Sequence, residues 1–166
     1  LLLTIFPFEK KLFQKTSLRV EYIGNPLLEQ KEITKKTTDI DIGLFPGSRK
    51  KEIIRNLPYM LKASKMHLAN NRNLKFGICI SHEKYKDLIL DICQKYPLGK
   101  SISFIWDKET LFNSISLAMA TSGTITLELA LKKIPTIAIY AIKKIDLFIA
   151  KNIIKINLPF YCIVNI

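Results

Sequence analysis

The chain has 166 residues, 48% of them hydrophobic and 24% charged, with 6 Gly and 7 Pro. That bounds it to one domain, or one domain plus a fragment, and excludes wholesale disorder and low-complexity or collagen-like chains. The 26 Lys and Arg against 14 Asp and Glu give a net charge of +12, which invites an anionic partner: nucleic acid, an acidic membrane face or a phosphorylated ligand.

In chain order, residues 1–6 predict a short strand ended by Pro7, and 9–15 one or two turns of helix. Residues 19–23 predict a strand, closed by the turn signal Gly24-Asn25-Pro26. The polar stretch 29–39, with Thr-Lys-Lys-Thr-Thr at its centre, reads as a linker or domain boundary. A new rhythm begins at Asp39: strand 40–45, loop Pro46-Gly47-Ser48-Arg49, then helix 50–70, where Ile53, Leu57, Met60, Leu61, Ser64 and Leu68 recur at helical spacing. Strand 74–80, helix 83–96, strand 101–106, short helix 108–114, strand 116–120, helix 124–132, strand 136–140 and helix 146–155 follow. Strands alternating with helices across short loops predict an α/β domain, a Rossmann-like parallel sheet with helices on both faces. Ligands of such sheets bind in the loops at the carboxyl ends of the strands.

The three cysteines, Cys79, Cys93 and Cys162, form no Cys-x-x-Cys pair, and the chain reads as cytosolic with reduced thiols. Residues 1–6 have neither the basic region nor the cleavage site of a signal peptide, and no run reaches the roughly 18–20 apolar residues of a membrane span. Both ends lie inside apolar runs, so a piece of a longer protein is expected.

Two loops carry chemistry. In Pro46-Gly47-Ser48-Arg49 the glycine lets amides approach a ligand, the helix N-terminus favours an anion, and arginine offers a planar fork for phosphate. The alternative is an ordinary turn with Ser48 as cap, but its capping-box partner would be residue 51, which is Lys; Glu52 falls one place late. In Ala120-Thr121-Ser122-Gly123-Thr124, hydroxyls, amides and the helix dipole converge, and Glu128 lies one turn on, facing the same way as Thr124. A carboxylate beside a phosphate site suits sugar hydroxyls. Neither a Walker loop nor Gly-x-Gly-x-x-Gly is present, so a hydride-transfer cofactor is not supported. Together the loops point to a nucleoside diphosphate held at two helix N-termini. His67 and His82 lack a second ligand at metal spacing, Trp106 reads as core, and Asp91, Asp107 and Asp146 have no partner for acid–base work.

The whole chain resembles the C-terminal half of the lipid-A-disaccharide synthases, bacterial glycosyltransferases of the two-domain GT-B type. The resemblance rests on Phe6-Pro7-Phe8-Glu9, on Tyr22-Ile23-Gly24-Asn25-Pro26-Leu27, on Leu44-Phe45-Pro46-Gly47-Ser48-Arg49 with Glu52, and on Ala120-Thr121-Ser122-Gly123-Thr124 through Glu128. Residues 135–140 and Phe148-Ile149-Ala150-Lys151 also match. Asn25 replaces the family's usual His, Ala141 its usual Lys or Arg, and Asn165 is the candidate for the Asn of its Leu-Pro-Asn.

The resemblance implies that residues 1–27 are the tail of an N-terminal acceptor domain, 28–39 a linker and 40–166 the UDP-sugar-binding domain. It implies condensation of UDP-2,3-diacylglucosamine with 2,3-diacylglucosamine 1-phosphate, giving the β-1,6-linked disaccharide 1-phosphate and UDP. No cofactor or metal is implied. The UDP-sugar contacts would be Gly47, Ser48, Arg49, Glu52, Ser122, Gly123, Thr124, Glu128, Tyr140 and Asn165, with the catalytic base in the N-terminal domain. The fragment itself is expected to be inactive. Lys143, Lys144, Lys151 and Lys155, around an amphipathic stretch, read as a solvated helix face, with contact with the cytoplasmic face of an inner membrane as the rival reading. The rival readings are another GT-B enzyme using UDP-GlcNAc, such as a peptidoglycan transferase or an epimerase, and a non-catalytic nucleotide- or RNA-binding module. Against RNA, no aromatic platform or Lys/Arg-Gly-Phe motif is present.

Overall fold

The structure, a computed structural model, describes residues 1–29 and 40–142. The chain divides into two units, Leu1–Glu32 and Ile33–Ile166. The predicted helix 146–155 and most of the predicted linker lie outside the described residues.

In the first unit, strands β1 (Leu2–Thr4) and β2 (Val20–Tyr22) pair in parallel, with Leu2 opposite Val20. Parallel neighbours need a crossover, and helix α1 (Glu9–Leu12) lies on it. Strand and helix are both shorter than predicted. The Glu9 carboxylate accepts from the amides of Ile5 and Phe6, at 3.1 and 2.9 Å, and so draws them away from the strand ladder. Asn25 Oδ1 accepts from the Leu27 amide at 3.0 Å, an Asx turn that opens a 3-10 turn at Pro26–Glu29.

The second unit alternates strand and helix throughout: β3 (Ile42–Phe45), α2 (Lys50–Asn70), β4 (Phe76–Cys79), α3 (Lys86–Lys95), β5 (Ile102–Ile105), α4 (Lys108–Ser114), β6 (Leu117–Thr121), α5 (Thr124–Leu131) and β7 (Thr136–Ile139). The sheet order is β5-β4-β3-β6-β7 and every pairing is parallel. This is the Rossmann-like sheet predicted from the sequence.

Side chains alternate across the sheet, as a period of two requires. Ile42, Leu44, Phe76, Ile78 and Met119 join one core with Ile53, Leu57, Met60 and Leu61 of α2 and Ile89 and Ile92 of α3. Phe45, Cys79, Ala118 and Ala120 join a second core with Leu111 and Phe112 of α4 and Leu129 of α5. Helices thus cover both faces. On the second face the strands carry small residues, and a methyl group added at Gly43 or Gly77 would lie 2.6 Å from Ile115 or Leu111. The glycines therefore let α4 and its flanking residues pack close to the strands.

The topology has one further consequence. From β3 the chain runs outward to β4 and β5, then returns to place β6 on the other side of β3. At that reversal the loops after β3 and β6 diverge to opposite faces and leave a crevice at the carboxyl edge, where open α/β sheets bind ligands.

Candidate functional site

The crevice is a cavity of about 520 Å³, within the size range of small-molecule sites. Its lining brings together Gly47, Ser48, Arg49 and Glu52 from the first loop with Ser122, Gly123, Thr124 and Glu128 from the second. Eight of the ten residues expected at the site therefore share one wall-to-wall space. Tyr140 is exposed just beyond β7 and is not among the lining residues. Asn165, Lys143, Lys144, Lys151 and Lys155 lie outside the described residues.

The first loop is held by a carboxylate. Helix α2 is capped by Arg49, not Ser48, so Glu52 stands at the third helical position, where a capping-box acid belongs. The capping box set aside for a cap at Ser48 is therefore formed one residue later, from Arg49. Glu52 Oε2 accepts from the amides of Ser48 and Arg49 at 3.1 and 3.3 Å, and Oε1 accepts from Arg49 Nη1 at 2.7 Å. Gly47 is required at the bend: its φ is +114°, and a Cβ there would lie 2.6 Å from both Cβ and Oε2 of Glu52. Arg49 keeps 80% of its side chain exposed, so its remaining guanidinium donors face outward. Ser81, at the end of β4, donates its hydroxyl to the Gly47 carbonyl at 3.3 Å and steadies the loop from the far side.

The second loop is differently built. The Ser122 amide continues the sheet ladder by donating to Ile139 at 2.9 Å. Gly123 caps α5 in extended conformation with no side-chain cap, and a Cβ on it would meet nothing within 4 Å. Thr126 donates both its amide and its hydroxyl to the Gly123 carbonyl, at 3.1 and 2.6 Å. The amides of Thr124 and Ile125 open the helix, where helix geometry offers them no carbonyl. An anion set there meets helix-end donors and the positive end of the dipole.

Glu128 is 7% exposed, a burial that an ionised carboxylate tolerates only with a partner. That partner is Lys108, whose Nζ lies 2.5 Å from Glu128 Oε2. Lys108 begins α4, lines the same cavity and was not singled out from the sequence. Its loop contains no glycine or hydroxyl cluster, yet it is a strand-to-helix loop on the carboxyl edge, and that position was the available signal. Asp107 caps α4 by accepting from the amides of Glu109 and Thr110 and from the Thr110 hydroxyl. The Thr110 hydroxyl and amide hold its carboxyl below the usual carboxylate range. Trp106, expected in the core, is instead 46% exposed and lines the cavity, because it follows the last residue of β5 at the sheet's open edge.

A second residue missed from sequence is Asn56. It is 2% exposed, on the buried stripe of α2 between Ile53 and Met60. Its Nδ2 donates to Thr121 Oγ1 at 3.0 Å, and its Oδ1 accepts from the Ala141 amide at 2.9 Å. One amide thus ties the end of β6 to the segment after β7. A polar side chain at a core position of a helix was its signal. Cys79 also lines the cavity, but burial pushes its thiol up to about 11, so at neutral pH it is no nucleophile.

Comparison with known proteins adds the family. The family model described as lipid-A-disaccharide synthetase matches residues 1–166. The chain belongs to this family. The lipid-A-disaccharide synthase of Chlamydia pneumoniae is 35% identical over 180 residues, which cover 100% of this chain and 29% of the relative. The Synechocystis enzyme of the same name is 33% identical, covering 99% of this chain and 45% of the relative. The chain therefore spans less than half the length of these curated relatives. Among solved structures, the pneumococcal O-GlcNAc transferase GtfA, in complex with UDP and GlcNAc, superposes with a TM-score of 0.60 at 10% identity, over 88% of this chain and 31% of that one. Staphylococcus aureus TarM gives 0.56 at 12% identity, over 89% and 31%. At such identities the likeness is one of fold, that of GT-B glycosyltransferases.

Proposed function

We propose that the cavity binds the UDP part of a UDP-sugar, and that the chain is the donor-binding portion of an enzyme condensing UDP-2,3-diacylglucosamine with 2,3-diacylglucosamine 1-phosphate. The observation that carries the reading is that both signature loops, from either side of the reversal between β3 and β6, line one cavity of about 520 Å³. The reaction breaks the bond from the donor's anomeric carbon to diphosphate oxygen while the acceptor's 6-hydroxyl attacks that carbon. Negative charge gathers on the leaving diphosphate. The N-terminus of α5 and the outward guanidinium of Arg49 are placed to meet it. Glu128, held by Lys108, accepts the ribose hydroxyls. Two structural neighbours were solved with UDP, in keeping with this assignment. The attacking hydroxyl also needs a base. Glu52 and Glu128 are the acids of the described cavity lining, and both are in ion pairs, so the base comes from elsewhere in the enzyme. Lys143, Lys144, Lys151 and Lys155 are assigned to contact with an anionic membrane face.

The test is calorimetry of the chain with UDP and with pyrophosphate. Glu128→Gln is expected to weaken UDP by about tenfold, as for a lost charge-assisted bond, and to leave pyrophosphate unchanged or tighter, since Lys108 loses its counter-charge. Equal losses for both ligands would reduce Glu128 to a support of its helix.

A further inference from the structure

The cavity has a wall that neither signature loop supplies. Trp106 follows β5, the outermost strand on its side of the sheet, and β5 is separated from β3 by β4 alone. Neighbouring strands lie about 4.8 Å apart, so Trp106 stands about 10 Å from the loop after β3, measured along the sheet. The side chain is half exposed even though it is the largest apolar group of the lining, and it belongs to the same cavity as Gly123, Thr124 and Glu128. Lys86, at the start of α3, sets its ammonium 5.7 Å from the ring centroid. Such a contact engages the indole only weakly, as exposed cation–π pairs do. Ile125 and Cys79 add apolar surface to the lining. A half-exposed indole in the lining of the same cavity as an anion cradle has the form of a platform for a flat ring.

We propose that Trp106 is the nucleobase platform of the site: the base stacks on the indole while the diphosphate lies at the N-terminus of α5. The assignment rests on the UDP-sugar reading above and extends it to a residue outside the signature motifs. Stacking is tolerant of base identity, because every base has a π-face. Selection of uracil would then fall to edge contacts, and the platform supplies affinity.

Trp106 is the chain's single tryptophan, so its fluorescence reports on the site directly. UDP and uridine should both change the emission of the 166-residue chain, and pyrophosphate should not. By calorimetry, Trp106→Leu should weaken UDP by roughly 5- to 100-fold, the range measured when stacking aromatics are removed, with pyrophosphate unaffected. Trp106→Phe should recover most of the loss. The half-exposed position makes both variants compatible with folding, and circular dichroism checks this. If UDP binds the parent chain without changing its emission, and binds Trp106→Leu equally well, the platform is refuted while the nucleotide site stands. If the parent binds neither UDP nor uridine by calorimetry, the nucleotide site fails and the platform with it.

Discussion

Arg49, in the cavity lining, and Asn56, buried behind it on α2, are held in opposite ways. Arg49 is exposed and already shares one guanidinium nitrogen with Glu52, so removing it leaves no buried vacancy. Arg49→Ala is therefore expected to leave folding intact and to weaken UDP by about 1.5–3 kcal/mol, the worth of a hydrogen bond to a charged group. Calorimetry on parent and variant decides it, and equal affinities would take Arg49 out of the site. Asn56 is the reverse case. Its carboxamide is buried and bonded at both ends. Asn56→Leu keeps the volume but strands the Thr121 hydroxyl and the Ala141 amide. Each orphaned group costs about 1–3 kcal/mol, so urea denaturation should show a loss of at least that size. A loss confined to ligand binding, with stability unchanged, would contradict this account.

At the scale of elements, α2 carries an anomaly. Pro58 sits in the interior of this 21-residue helix, where it has no amide to give to the Ile54 carbonyl. The helix nevertheless runs from Lys50 to Asn70, because its buried stripe outweighs the lost bond. Pro58→Ala should raise stability by about 1–3 kcal/mol, read as a higher denaturation midpoint. A lower midpoint would mean that the ring packs against something that alanine cannot replace. The bounds of α2 were legible from sequence because it begins just after a polar loop and carries its apolar residues at helical spacing. The capping frame of α2 was not legible: Ser48 and Arg49 are adjacent, and only backbone angles decide which of them ends the loop. The Lys108–Glu128 pair was also hidden. Its members are twenty positions apart, and only the packing of α4 beside α5 makes them neighbours.

For the whole molecule, strand order was the unreadable quantity. The sequence predicts five alternating strands and helices but not that β6 lies beside β3, and that adjacency alone brings the two loops into one cavity. Residue types in the loops suggested a phosphate site; the sheet's reversal is what makes it a single one. The cavity lining includes two carboxylates, both engaged, and no histidine. The 166-residue chain is accordingly expected to bind UDP-diacylglucosamine without releasing UDP above background when the acylated sugar phosphate is added. Formation of disaccharide by the purified chain would mean that one of these paired acids, or a residue outside the described lining, serves as base. The +12 charge gives a further discriminator. UDP binding should weaken only mildly with added salt, whereas an RNA-binding surface would lose affinity steeply.

Glu52 gives the cavity an asymmetry. Two amides at the head of α2 already hold a carboxylate oxygen, so that helix end behaves as an occupied socket with a resident counter-ion. Among the described residues the head of α5 has no side-chain cap, and a Cβ on its glycine would meet nothing within 4 Å. On the proposed reading, a diphosphate entering between them would meet two unlike hosts: the exposed guanidinium of Arg49 on one side and the amides that open α5 on the other. Inorganic phosphate would settle at the α5 end alone, and so compete with UDP for half of its footing.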